Sequence, residues 1–172
     1  MGKFRLDSRG IEKIRSMLKN QVKNTEKKLA CETYDFFVNF AYKKDGGGIK
    51  AGGDGYTLYY LSNWNVGING IDTSVTPPYR ITVSDGNRNI YPVDREKANR
   101  ITESLTFGDS ISVTNSVWYG PILNDGGFFD DVGSNKIDDF CIPNRFMEQC
   151  IDHIEQNAER IIRQVKKECP EI

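Results

Sequence analysis

The segment Tyr56-Thr57-Leu58-Tyr59-Tyr60-Leu61-Ser62-Asn63-Trp64-Asn65-Val66-Gly67-Ile68 decides how this chain is read. It is dense in aromatic and β-branched residues, which suit a pleated, half-buried surface, so it reads as a strand or as a turn entering one. Both flanks of the chain are helical in pattern. Over residues 9–40, Ile11, Ile14, Leu18, Val22, Leu29, Phe36 and Phe40 recur at steps of three, four or seven and share one stripe of a long amphipathic helix. At the other end Pro143 opens a helix that runs to Lys167. Its stripe is Met147, Ile151, Ile154, Ala158, Ile161, Ile162 and Val165, and Pro170 stands just past its end.

Shorter elements lie between these helices. Ile81 and Val83, then Asp85-Gly86, then Ile90 and Tyr91 predict a hairpin, because Asp-Gly accepts the positive φ angles of a tight turn. Asp94 is placed to cap a short helix reaching Phe107, with Ala98, Ile101 and Leu105 on one face and Gly108 as its stop. Residues 110–115 alternate, with Ile111 and Val113 inward, and residues 117–123 form a second apolar segment. The order predicts an α+β fold, with a small antiparallel or mixed sheet packed against long N-terminal and C-terminal helices and a short central helix. With 172 residues, the expectation is a single domain spanning 1–172.

Composition narrows the function classes. The chain is 38% hydrophobic and 27% charged, which suits a packed core and not a disordered or collagen-like chain. Its formal charge of -1 lacks the basic excess of a dedicated nucleic-acid binder. No window approaches the ~18 consecutive apolar residues of a membrane span, so no membrane role is expected. Cys31, Cys141, Cys150 and Cys169 are expected to be reduced thiols.

The charge is unevenly spread. Residues 1–28 hold nine Lys or Arg against Asp7, Glu12 and Glu26. Residues 124–141 carry Asp125, Asp130, Asp131, Asp138 and Asp139 against Lys136, an acidic loop opposite in sign to the first helix. Residues 45–55 include six glycines and are expected to form a mobile loop. A phosphate-binding loop would need a preceding strand and Gly-Lys followed by Ser or Thr, whereas here a helix precedes and Ala51 follows Lys50.

Reaction chemistry finds little support. His153 is the only histidine and lies well off its helix's apolar stripe, so it is expected to face solvent. Cys150 and His153 stand at i and i+3, but a structural zinc site wants four ligands. The aspartates of the acidic loop lack the alternating oxygen spacing of a cation loop. No catalytic residue, metal or cofactor is therefore expected. The aromatics are the more suggestive feature: Tyr56, Tyr59, Tyr60 and Trp64 cluster in one segment, and Trp118 and Tyr119 in another, as core or as interface anchors.

Two segments resemble a known family. Asp54-Gly55 through Leu58 and Leu61 to Ser62-Asn63-Trp64 is similar to the passage from a Gly turn to Ser-x-Trp in neck or tail-completion proteins of long-tailed bacteriophages, the lambda minor tail protein Z-like group. Ile111-Ser112-Val113-Thr114-Asn115, followed by Trp118-Tyr119-Gly120 and Leu123-Asn124-Asp125-Gly126, resembles their later strand ending at Asn, then an aromatic, a small residue, Leu, an acid and Gly. Tyr59 and Tyr60 stand where an Arg is usual, and Asn124-Asp125 replaces a Glu, with Asp125 left to supply the charge.

The resemblance implies a non-enzymatic virion subunit, made in the host cytoplasm, that forms a homo-oligomeric ring at the head-tail junction. Its partners would be other head-tail connector or tail proteins, with DNA passing close by in a channel. The interface candidates are Trp64, Asn115, Trp118, Tyr119 and Asp125, with Lys13, Arg15, Lys19 and Lys23 on the basic helix. Two rival readings are a small metal-dependent hydrolase or nuclease using the Asp-rich loop, and a monomeric adaptor binding one partner through Trp64 or Trp118.

Overall fold

A computed structural model describes residues 8–40, 60–77, 79–83, 86–90, 92–117, 124 and 145–169. Along the chain run α1 (Ser8–Phe40), β1 (Trp64–Ile68), β2 (Tyr79–Val83), β3 (Gly86–Ile90), α2 (Lys97–Thr102), β4 (Ile111–Asn115) and α3 (Phe146–Glu168). The fold is α+β: long terminal helices with small antiparallel sheets and short helices between them. The Gly-rich stretch 45–55, residues 118–123, the acidic loop beyond Asn124 and Pro143 lie outside the described residues.

The deciding segment splits in two. Tyr60, Leu61 and Ser62 are helical, and the strand begins only at Trp64. β1 pairs antiparallel with β4, with Trp64 opposite Asn115 and Ile68 opposite Ile111. Residues 64–67 of the first stretch that carries the resemblance and residues 111–115 of the second thus lie on neighbouring strands. Tyr60 O accepts the Asn115 Nδ2 hydrogen bond at 2.8 Å, which stitches the helical turn to the end of β4.

β1 is buried on both faces. Trp64 and Val66 join the core cluster, and Val113 and Ile111 of β4 pack against it, as their alternation predicts. The opposite face of the ladder is covered by residues 70–76. Asn65 Nδ2 donates to Ser74 O at 2.7 Å, Ser112 Oγ to Gly70 O at 2.6 Å and Thr114 Oγ1 to Asp72 O at 3.0 Å. β2 and β3 form a separate hairpin, as predicted, but the register is offset from the Asp-Gly reading: Val83 pairs with Gly86, so Gly86 opens β3 and the link is Ser84-Asp85, which lie outside the described residues.

The central helix is shorter than expected. It spans only Lys97–Thr102, and its N-cap is Glu96 rather than Asp94, which lies two residues ahead and accepts from Glu96 N at 3.2 Å and from Arg100. Gly108, at φ +96, belongs to a turn after the helix and is not its stop. The buried face holds as read, with Ala98 and Leu105 inside and Ile101 packed on the cluster.

Both long helices present a different line to the core than their stripes suggest. From α1 the buried residues are Ala30, Tyr34, Phe37 and Val38, while Ile11, Ile14, Leu18 and Val22 are exposed. From α3 they are Phe146, Cys150, Ile161 and Val165, while Met147, Ile151 and Ile162 are exposed. The helices pack antiparallel: Phe37 meets Phe146, Glu32 pairs with Arg160, and Lys28 reaches Glu168. Cover by α3 stops at Cys169, whose carbonyl accepts from Gln21 Nε2 and whose Sγ accepts from Asn24 Nδ2, both at 3.1 Å.

Tyr34 ties α1 to the approach of α2. It is 1% exposed, and its hydroxyl donates to Asp94 O at 2.7 Å. Burial pushes its phenol pKa up, so the proton stays in place for donation. Tyr34→Phe should lower unfolding free energy by about 1 kcal/mol, the usual net worth of one buried hydrogen bond, in denaturant titration. An unchanged midpoint would show that the contact contributes nothing.

Candidate functional site

Of the predicted interface residues, Trp64 is a correction. It is 3% exposed, stacks face to face on Phe37 at 3.8 Å between centroids and meets Tyr60 edge-on at 5.9 Å. An indole enclosed this way is core and is not available as a surface anchor. Tyr60 is equally enclosed, at 2% exposure. Asn115 is half-buried and spent on structure, its Oδ1 also accepting from Val117 N at 2.9 Å. Trp118, Tyr119 and Asp125 lie outside the described residues. Asn124 remains, with its carbonyl accepting from Arg145 N at 3.0 Å and its Oδ1 from Met147 N at 3.1 Å, which helps cap α3.

The polar residues around Trp64 form a network under the strand ladder. Asn63 Oδ1 accepts from Thr76 N at 2.8 Å, and Ser62 O accepts from Thr76 Oγ1 at 2.7 Å. Asn65 also receives Lys97 Nζ, whose pKa burial lowers. These groups hold residues 70–77 and α2 in place. Sequence reading noted the Ser-x-Trp motif here but could not show that its polar members point inward.

His153 keeps part of its side chain in solvent, at 36% exposure, while its ring lies 5.2 Å from that of Phe36 and Nε2 sits 3.0 Å from Glu32 Oε1. Its place beside α1 follows from the antiparallel helix pairing. Cys150 is buried, and desolvation raises its thiol pKa to about 11, which keeps it protonated and unreactive at neutral pH. Cys31, Cys150 and Cys169 are free thiols. Among the described residues, no group of three or more His, Cys, Asp or Glu is gathered to hold a metal. No described helix is long and apolar enough to cross a membrane.

The conspicuous surface is the first part of α1. Residues 8–20 run beyond the end of α3, about 20 Å at ~1.5 Å per residue. Along them Ile11, Ile14 and Leu18 are 41, 55 and 51% exposed, and Val22 follows at 43%. This is the apolar stripe read from the sequence, uncovered among the described residues. The same turns carry Arg9, Lys13, Arg15, Lys19 and Lys23 against the single acid Glu12, with Arg15 and Lys19 nearest the stripe. Arg15 pairs with Glu12 at 3.2 Å, and Lys19 Nζ stands 5.4 Å above the Phe107 ring. A free helix of this length is marginal in water unless its apolar side is covered.

A second surface opens between α1, β4 and α3. It is a groove of about 600 Å³ walled by Leu29 and Phe37 of α1, Ile111 and Val113 of β4, and Met147 and Ile151 of α3. Its charged lining residues are Glu26, Asp109 and Glu155, all acidic. Side-chain hydrogen bonds from Asn69 and Thr106 hold the Asp109 carboxyl below its usual range, so it is ionised at neutral pH. Glu26 Oε2 is buried and lacks a hydrogen-bond partner among the described residues.

Sequence reading assigned the acidic surface to residues 124–141 and missed this one. Part of the signal was present in α3, where residues 146–159 hold Glu148, Asp152, Glu155 and Glu159 with no Lys or Arg, while residues 160–167 hold Arg160, Arg163, Lys166 and Lys167 with no acid; of these only Glu155 lines the groove, and Glu26 and Asp109 join it from elsewhere in the chain. A helix so divided presents opposite charge at its two ends. No family model, curated protein or solved structure matches this chain.

Proposed function

We propose that this chain is a structural assembly subunit, a neck or tail-completion protein that forms a ring at the head-tail junction of a tailed bacteriophage. The observation that carries the assembly part is the uncovered stripe of α1, with four large apolar side chains on an exposed basic helix beside a well-packed core. Continuous apolar surface rimmed by charge is what protein contacts use. The phage setting rests on the resemblance of residues 54–67 and 111–127 to neck and tail-completion proteins. In that setting the neighbours are other connector or tail proteins.

The test is light scattering of the purified protein together with negative-stain images, alone and mixed with tail tubes. The expected result is a ring of discrete mass that sits at one end of the tubes. Association should weaken as salt screens exposed charges beyond ~8 Å at physiological ionic strength. A protein that stays monomeric and ignores the tubes would sink this reading.

A further inference from the structure

We infer that residues 8–22 of one copy dock in the groove between α1, β4 and α3 of a second copy. This rests on the assembly reading above and names the contact that it needs. The two surfaces match in chemistry. The inserted helix offers Ile11, Ile14, Leu18 and Val22, spaced to present one edge, as helices laid in grooves do. The groove offers apolar walls in which Met147 and Ile151 are 46 and 57% exposed. The helix carries Arg15 and Lys19 beside its apolar edge and Arg9, Lys13 and Lys23 on its other faces; around the groove stand Glu26, Asp109 and Glu155, with no cation among its described lining residues. Opposite potentials of this kind orient an encounter and reject like-charged alternatives.

The occupant must come from another molecule. α1 is one continuous helix of 33 residues, and Glu26, Leu29 and Phe37 of that same helix line the groove. Its first turns therefore cannot fold back onto its later ones. The contact joins two different patches, so it can repeat from copy to copy and close into a ring where the rotation permits.

Two substitutions at exposed positions test this without disturbing the core. Leu18→Glu places an acid on the inserted edge, and Ile151→Lys places a cation on the groove wall. Each variant alone should keep a native circular dichroism spectrum and bind its own kind at least about tenfold more weakly than wild type in sedimentation. Mixing the two should restore association, because the intact helix edge of the Ile151→Lys chain can enter the intact groove of the Leu18→Glu chain. Recovery on mixing is a result that misfolding would not produce.

If wild type forms its ring and both variants form it equally well, the docking contact is wrong while the ring reading stands. If both variants dissociate and recover on mixing, but wild type is a closed pair, the contact stands and the ring falls. A wild-type monomer removes both. A wild-type monomer that also sediments with vesicles of phosphatidylcholine and phosphatidylserine would make residues 8–22 a lipid-surface helix and overturn the inference in favour of that one.

Discussion

Trp64→Ala is expected to lower unfolding free energy by about 3–5 kcal/mol, the range for emptying an aromatic site in a packed core. The indole is where three elements meet. It stacks on Phe37 of α1, takes Tyr60 on its edge and anchors the first residue of β1, and Phe146 of α3 packs on both Phe37 and Tyr60. For a domain of this size the melting midpoint should fall by about 10 °C, at roughly 2–4 °C per kcal/mol. Trp64→Phe sharpens the test. The indole Nε1 is buried without a hydrogen-bond partner among the described residues, so the phenyl ring keeps the stack and removes an unmet donor. Thermal melts should place Trp64→Phe far nearer wild type than Trp64→Ala. A folded Trp64→Ala protein of unchanged midpoint would return Trp64 to the set of surface anchors.

Gly67→Ala should be the most damaging single-methyl change in the ladder. A Cβ there would meet Gly70 O at 2.4 Å, Ser112 Oγ at 2.8 Å and Asp72 N at 3.0 Å. Two of these are backbone atoms of the segment that covers the outer face of β1, so relief requires moving that segment and loosening the Ser112 to Gly70 hydrogen bond. Overpacking of this kind costs about 1–3 kcal/mol. Gly70→Ala is the matched control, because nothing lies within 4 Å of the place its methyl would occupy, and it should stay within about 0.5 kcal/mol of wild type. Denaturant titration of the pair decides; equal midpoints would show that the covering segment yields freely.

How much was legible in the sequence depended on the range of the interaction. The helices of α1 and α3 were readable because their apolar spacing is a local property. The β2 and β3 hairpin was readable from two short apolar runs about a turn signal, although its link falls one residue earlier than Asp85-Gly86, with Gly86 already in β3. The segment at residues 56–68 was harder. Its aromatic density suited a strand or a turn entering one, and of its described residues Tyr60, Leu61 and Ser62 form a helical turn that enters β1, with the Tyr60 carbonyl taken by Asn115 from β4. Choosing between those two readings took a partner more than fifty residues away.

By itself, then, the sequence determined the α+β class, the helix positions and the inward alternation of Ile111 and Val113. Tertiary structure alone decided which side chains are covered. α1 buries Ala30, Tyr34, Phe37 and Val38 rather than its most regular apolar stripe, and its first turns run past the end of α3, so Ile11, Ile14 and Leu18 are exposed. Trp64 and Asn65 are enclosed because residues 70–77, α2 and both long helices converge on one strand. Periodicity and the basic charge of α1 follow from one element, whereas burial depends on where neighbouring elements end, and the acidic groove became visible only once those ends were placed.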